Sequence, residues 1–499
     1  MDETYLQREL ILLTPSEAFS QNLSDFAPTA PSAEIGASLS LRPEDEVAIA
    51  LSEFGASMRP LFPASAPRHG PVEAPPGAAA SAAPAPGGDQ PSLVYSRVVA
   101  SDDQLDVIAE RLRKVATVKA AYVKPAAQPP INKMLPTAGP PSAAAGTPDF
   151  QPRQAYLNAA PGGVDAAFAW TQPGGRGDGI NIVDVEGEWR VSHEDLQSHN
   201  RGVLSGTPPG SIDWRNHGTA VIGVINAADN GIGVTGVAPN STVGMVSIFP
   251  NGSAAAIRDA ANHLQAGDVL LVELHRPGPR FNFNSRPDQK EFVAVEWWPD
   301  DFDAIQYAVG RGIIVVEAAG NGSEDLDDVL YDSPAAGFPA TWSNPYRRGP
   351  HDSGAILVGA GAPPPGTNGG AGFGPDRSKL DFSNFGSAVD AQGWGRQVTS
   401  CAYGDLQAGP AEDAWYTDQF SGTSSASPII VGVIACLQGF AIGNGLSRQT
   451  AASIRNLLRT TGSPQTSAPG SPVSQRIGNR PDLKALTAAV TAMAAALTV

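Results

Sequence analysis

From Gly175 onward, short and nearly unbroken apolar runs recur between stretches of helical spacing. The runs are INIVDV, TVGMVSI, DVLLVEL, GIIVVEAAG and AILVGAG, and the helical stretches include residues 254–266 and 302–310. Strands that are apolar at almost every position are buried on both faces, which predicts an α/β domain with a mostly parallel sheet covered by helices. In such sheets the ligand site lies outside the carboxyl ends of the strands. Three polar residues fall there: Asp184 near the end of INIVDV, Glu273 in DVLLVEL, and Asn321 just after GIIVVEAAG.

The first part of the chain has another rhythm. Residues 93–100 alternate as a strand, 102–115 repeat apolar positions at helical spacing, and 118–123 form a second strand, so a β-α-β unit is predicted. With a strand at 8–13 and a helix at 43–54, residues 1–124 make a small α+β domain. A Pro/Ala-rich insert at about 63–90 interrupts it, and a second such stretch, 125–149, reads as a linker to a large domain at 150–499. The run LTAAVTAMAAALTV, residues 486–499, is too short to cross a bilayer and is expected to pack as a terminal helix.

Composition narrows the function. The 33 Lys plus Arg against 50 Asp plus Glu give a net charge of −17, which disfavours nucleic acid and anionic membrane as partners. The start, MDETYLQREL, lacks the basic and apolar regions of a secretory signal, so classical secretion from it is not expected and the compartment stays open. Cys401 and Cys436 are the only cysteines, expected as buried free thiols with one bridge as the alternative.

The most informative stretch is FSGTSSASP, residues 420–428, followed by the apolar run IIVGVIACL. Ser424 then sits at a helix start, where unpartnered backbone N–H groups can hold an oxyanion. Ser, Gly and Thr also make ordinary caps, so the neighbours decide. His217 opens HGTAVIGVI, and the order Asp184, His217, Ser424 is one of the known convergent triad orders.

Four blocks in order carry a resemblance: IVDVEGEWRVSHEDL, HGTAVIGVINAADNGIGVTGVAP, VVEAAGNGS and FSGTSSASPIIVG. Over about residues 156–480 the chain resembles the catalytic domain of the subtilisin-like serine proteases, the subtilase family. That resemblance implies a three-layer α/β domain and a serine endopeptidase acting on protein or peptide substrates. It implies Ser424 as nucleophile, His217 as its base, Asp184 as the carboxylate orienting the imidazole, and Asn321 as oxyanion donor. No cofactor is required for that chemistry. Val185 and Glu186 depart from the family, which has a small hydroxylated residue and glycine after its aspartate. Glu273, Leu274 and His275 replace a serine, a large residue and glycine that line the first substrate pocket, and Gly320 is also expected to bind substrate.

Glu273 and Glu317 lie near the ends of what should be adjacent strands, so they are expected either to share a proton or, through Glu273, to bias the pocket toward basic side chains; two unrelated carboxylates are the alternative. An extra stretch at 277–301, carrying Trp297 and Trp298, either borders the cleft or embellishes the surface. The loop AADNGIGV resembles the family's structural calcium loop, with Asp195 and Asn230 offering side-chain oxygens and Ala228, Ile232 and Val234 offering carbonyls. The N-terminal β-α-β unit resembles the second half of a propeptide inhibitor domain, implying a precursor that cuts itself between residues 124 and 149, with a permanently attached interaction domain as the alternative. A dedicated peptide-processing protease or transpeptidase, and a non-catalytic peptide-binding scaffold, remain as rival readings.

Overall fold

The computed structural model describes residues 7–15, 46–62, 93–130, 146–349, 351–408 and 411–496. They divide into two units, one of residues 7–126 with 334–343, and a larger one of the remainder. The predicted insert near 63–90 and most of the predicted linker lie outside the described residues.

In the smaller unit β1 (Glu9–Pro15), α1 (Glu46–Ser52), β2 (Ser57–Pro60), β3 (Leu93–Val99), α2 (Leu105–Leu112) and β4 (Ala120–Lys124) follow in order. The strands make one antiparallel sheet, ordered β2-β3-β1-β4. Leu105, Ile108, Ala109 and Leu112 recur at helical spacing, so one stripe of α2 packs on Leu10, Leu12, Val98 and Ala121. The helix begins later than its apolar spacing suggests because residues Asp102–Gln104 form a 3₁₀ turn first.

In the larger unit a single helical turn, α3 (Ala166–Ala169), precedes β5 (Asn181–Glu186), β6 (Asn200–Ser205), α4 (Ile212–Asn226), β7 (Thr242–Ser247), α5 (Ser253–Asn262) and β8 (Val269–Val272). Then come β9 (His275–Pro277), β10 (Phe292–Ala294), α6 (Pro299–Gly310), β11 (Ile314–Ala318), β12 (Ile356–Gly361), β13 (Val389–Trp394), β14 (Val398–Cys401) and β15 (Tyr416–Phe420). The chain closes with α7 (Thr423–Gly443), α8 (Ala451–Thr460) and α9 (Leu483–Ala496).

Seven strands form one parallel sheet, ordered β13-β12-β11-β8-β5-β7-β6. Strands β5, β8, β11 and β12 are buried at almost every position, as their unbroken apolar runs require. The order reverses at β5, which has β8 on one side and β7 on the other, so the crevice for a site opens at its carboxyl end. Helix α7 is apolar all round and crosses beneath β8, β11, β12 and β13. It is long and apolar enough to span a membrane, but 89% of that window is buried inside this unit, as befits a core helix. Both thiols, Cys401 and Cys436, are free and buried.

Candidate active site

Side chains alternate along a strand, so Asp184 and Glu186 share one face of β5, and Glu186 is its last residue. Asp184 is still inside the sheet, level with Met245 of β7 and Leu271 of β8. Helix α4 starts five residues before His217, which places the imidazole in its second turn rather than at its start. There Nδ1 lies 2.5 Å from Glu186 Oε2. The expected pairing of His217 with Asp184 is therefore corrected: Asp184 Oδ2 accepts the Trp189 indole N–H at 2.7 Å, and Glu186, one turn of the pleat nearer the crevice, reaches the histidine. The signal was present in the sequence, because a site beyond strand ends favours the terminal residue of the strand over one two positions inside it.

Burial raises the pKa of both carboxyls. The charge of Glu186 lifts Asp184 further, while contact with Asp184 pulls Glu186 down. Two buried carboxyls cannot both ionise cheaply, and the mutual interaction raises Asp184 while it lowers Glu186, the one beside the imidazole. Burial pushes the pKa of His217 down, to about 3, with Asp184 pulling the other way. The ring is thus a neutral base whose Nδ1 carries the proton toward Glu186, leaving the lone pair on Nε2, which has no hydrogen-bond partner among the described residues.

Ser424 is the second residue of α7, behind Gly422, whose φ of 115° only glycine adopts easily. Asn321 follows β11. Its Oδ1 accepts from the Thr423 backbone N–H at 2.9 Å and from the Thr423 hydroxyl at 3.0 Å, which leaves its amide N–H groups for the cleft.

The cleft holds a stretch of the chain itself. Gln128 and His275 form an antiparallel bridge, each N–H donating to the other's carbonyl at 3.0 Å. Two residues on, the Ser424 hydroxyl donates to the Pro130 carbonyl at 2.7 Å. A methyl group added at Gly422 would run into that carbonyl oxygen and would lie 3.1 Å from Ser424 Oγ and 3.2 Å from Asn321 Nδ2, so the three polar atoms converge on one point.

A family model described as the subtilase family matches residues 163–479. The chain belongs to the subtilase family. An extracellular protease of Xanthomonas campestris pv. campestris is 29% identical over 298 residues, 59% of this chain and 42% of the relative. This chain thus spans less than half of that relative's length. An intracellular serine protease of Paenibacillus polymyxa is 26% identical over 303 residues, 58% of this chain and 76% of the relative. A solved protease structure from Pseudoalteromonas arctica PAMC 21717 is 21% identical, covers 69% of this chain and 100% of its own, and superposes with a TM-score of 0.47.

In this subtilase the expected partnership of Glu273 with Glu317 does not occur. The register pairs Glu317 with Val272, so Glu273, one residue on, faces the opposite side of the sheet. Glu273 accepts the Ser427 hydroxyl under the first turn of α7, and Glu317 Oε1 accepts the Glu296 backbone N–H at 3.0 Å. Leu274 is fully buried, and His275 serves the cleft through its backbone. Gly320 is covered by the Phe292 carbonyl, 2.7 Å from where a methyl group would sit.

The extra stretch reaches the cleft, through residues other than its tryptophans. The Gln128 side chain donates to Ser285 Oγ at 2.6 Å, and Gln289 donates to the Pro129 carbonyl at 3.2 Å while accepting from Asn321 Nδ2 at 3.3 Å. Trp297 and Trp298 are fully buried and pack edge to face at 5.2 Å, anchoring the stretch from below.

The residues of the calcium-like loop do not fit that ion. Asp195 Oδ1 accepts from Asn230 Nδ2 at 3.0 Å and Oδ2 from the Val234 N–H at 2.7 Å, while Asn230 Oδ1 accepts from the Ile232 N–H at 3.0 Å. The Ala228 N–H turns to the Asp195 carbonyl at 2.9 Å. N–H donors take up the side-chain oxygens of Asp195 and Asn230 that a hard cation would need.

Proposed function

We propose that this subtilase is a serine endopeptidase, made as a precursor that cuts its own chain, in which Ser424, His217 and Glu186 carry the reaction with Asn321. The observation that carries this reading is the Ser424 hydroxyl donating to the Pro130 carbonyl at 2.7 Å, in a unit whose His217 imidazole is held at Nδ1 by the Glu186 carboxylate. Ser424 Oγ attacks the carbonyl carbon and its proton passes to His217 Nε2. Glu186 stabilises the imidazolium that forms, with Asp184 protonated behind it. The developing oxyanion is met by Asn321 Nδ2 and by backbone N–H groups of the first turn of α7. The proton then goes to the leaving amine, and water, deprotonated by the same histidine, releases the acyl group.

The small N-terminal unit fits the part of a propeptide, since the chain leaving it runs directly into residues 127–130 in the cleft. A processing protease devoted to one peptide is the second reading, favoured by the contacts of Ser285 and Gln289 with that segment.

Fluorophosphonate labelling with intact-mass measurement tests the proposal on wild type beside Ser424→Ala. Wild type should take the label at Ser424 and lose its N-terminal part, and the variant should do neither. An unlabelled wild type, or a variant that still shortens, would overturn it.

A further inference from the structure

The segment in the cleft points to the substrate class. Resting on the reading above, we infer that this protease cleaves after proline, that its first substrate is its own Pro130–Ile131 bond, and that Gln289 is a positioning residue for that acyl side.

Residues 127–130 belong to the larger unit and are buried in it. The carbonyl on Ser424 belongs to Pro130, so the acyl group is prolyl and the bond broken is the one that follows, to Ile131. Proline has no N–H, so residues 129 and 130 can be buried side by side without needing acceptors from the cleft. Only their carbonyls need partners, and both have them: Gln289 Nε2 for Pro129, the Ser424 hydroxyl for Pro130. The polar backbone of the preceding residue is satisfied in full by His275, and its side chain by Ser285. A leucine or phenylalanine at position 130 would bring in a backbone N–H that needs an acceptor of its own, as well as a larger side chain. The fixed φ of two prolines also reduces the conformational freedom lost on docking.

Gln289 is held for this task. Its φ of 53° lies in the left-handed region that residues other than glycine seldom occupy, and its side chain bridges the oxyanion donor Asn321 to the Pro129 carbonyl. One amide thus reports the position of the substrate to the group that stabilises the oxyanion.

In the reaction, Ser424 Oγ bonds to the Pro130 carbonyl carbon and the bond from that carbon to the Ile131 nitrogen breaks. The serine proton travels through His217 to that nitrogen, giving a free amine. Water then splits the prolyl ester, leaving the Pro130 carboxylate and the serine hydroxyl.

The test uses the full chain, with fluorophosphonate labelling as an independent check that the nucleophile is active. N-terminal sequencing of the processed enzyme should begin at Ile131. On the peptides Ala-Gln-Pro-Pro-Ile-Asn-Lys and Ala-Gln-Pro-Leu-Ile-Asn-Lys, the first should be cut after its second proline with kcat/KM at least about tenfold higher. Gln289→Ala should keep its labelling and lose about tenfold in kcat/KM on the first peptide, mostly in KM, while Gln289→Glu, which keeps an acceptor for Asn321 but not the donor, should lose as much. A labelled enzyme whose new N-terminus lies elsewhere, or that cuts the leucine peptide equally well, would overturn the inference and leave the protease reading standing. Loss of labelling in wild type would overturn both.

Discussion

Two groups of buried carboxyls lie on opposite faces of the parallel sheet and have opposite chemistry. One holds Asp184, Glu186 and Glu273, and its partners among the described residues are an imidazole, an indole and a serine hydroxyl, with no Lys or Arg. The other holds Glu296, Glu317 and Asp301, and it has cations: Arg348 lies 4.0 Å from Glu296 and Arg276 3.6 Å from Asp301. Burial lowers the Arg348 guanidinium, but Glu296, Asp390 and Asp352 keep it raised, so its charge persists. In the first group the lone negative charge has only His217 to stabilise, which is useful when that ring becomes cationic. In the second, Arg348 and Arg276 offset Glu296 and Asp301 and hold α6 and the following loop to the sheet, with Glu317 behind them. Residue type is the same in both; the available counter-charge separates a reactive group from a structural one.

The largest effect outside the carboxyls themselves is expected at Asn321. Removing one oxyanion donor costs about 10²–10³ in kcat, so Asn321→Ala measured on a cleavable peptide should fall by that much with the fold unchanged. A loss below tenfold would separate this residue from the reactive face. Next comes the structural face. Arg348→Met leaves Glu296 without its cation and Asp390 with Arg459 alone, and breaking one partner of a buried network costs about 3–5 kcal/mol. Denaturant unfolding of the Ser424→Ala precursor with and without this change should show that loss, and a shift under ~1 kcal/mol would contradict the assignment.

A smaller effect has a definite sign with pH. Burial raises Glu317 well above its ordinary value of 4.5, so the folded chain keeps a proton that the unfolded chain releases. Above about pH 4.5 the native state then binds more protons than the unfolded one, and its stability declines with rising pH on account of this group. Glu317→Gln keeps the oxygen that accepts from the Glu296 N–H and removes the ionisation. The variant should match wild type near pH 4 and gain on it steadily above that, read as the difference in Tm; a difference that shrinks with pH would refute the raised value. Smallest of all, a calcium chelator should leave Tm unchanged, because N–H donors already satisfy Asp195.

The sheet was legible because β5, β8, β11 and β12 are apolar at nearly every position, and the places of Ser424 at the start of α7 and Asn321 after β11 were legible because each follows a glycine-marked break into or out of such an element. Strand β6 escaped notice: it is an edge strand, half exposed, with Gly202 at a φ of 69° breaking its ladder. The carboxylate that meets His217 lies two residues beyond the expected one, since Asp184 and Glu186 share a face and only their depth in the sheet tells them apart. The pairing of Glu273 with Glu317 failed for a different reason. Which face a strand-end residue takes depends on register between strands distant in sequence, and a shift of one residue reverses it. The contacts of Ser285 and Gln289 depend on the path of an irregular segment with four left-handed residues other than glycine, at 282, 283, 289 and 291. No periodicity marks such a path.

The most direct test compares Glu186→Gln with Asp184→Asn, each measured for kcat/KM on a peptide ending its acyl side in Gln-Pro-Pro. An amide in place of the carboxylate on the histidine holds the wrong tautomer and leaves the imidazolium unsupported, and the equivalent change in serine proteases costs about 10⁴. Glu186→Gln should therefore lose about 10³–10⁴, while Asp184→Asn, whose group is already neutral and bonded to Trp189, should lose less than about tenfold. The reverse order would return the orienting role to Asp184 and contradict the geometry at the end of β5.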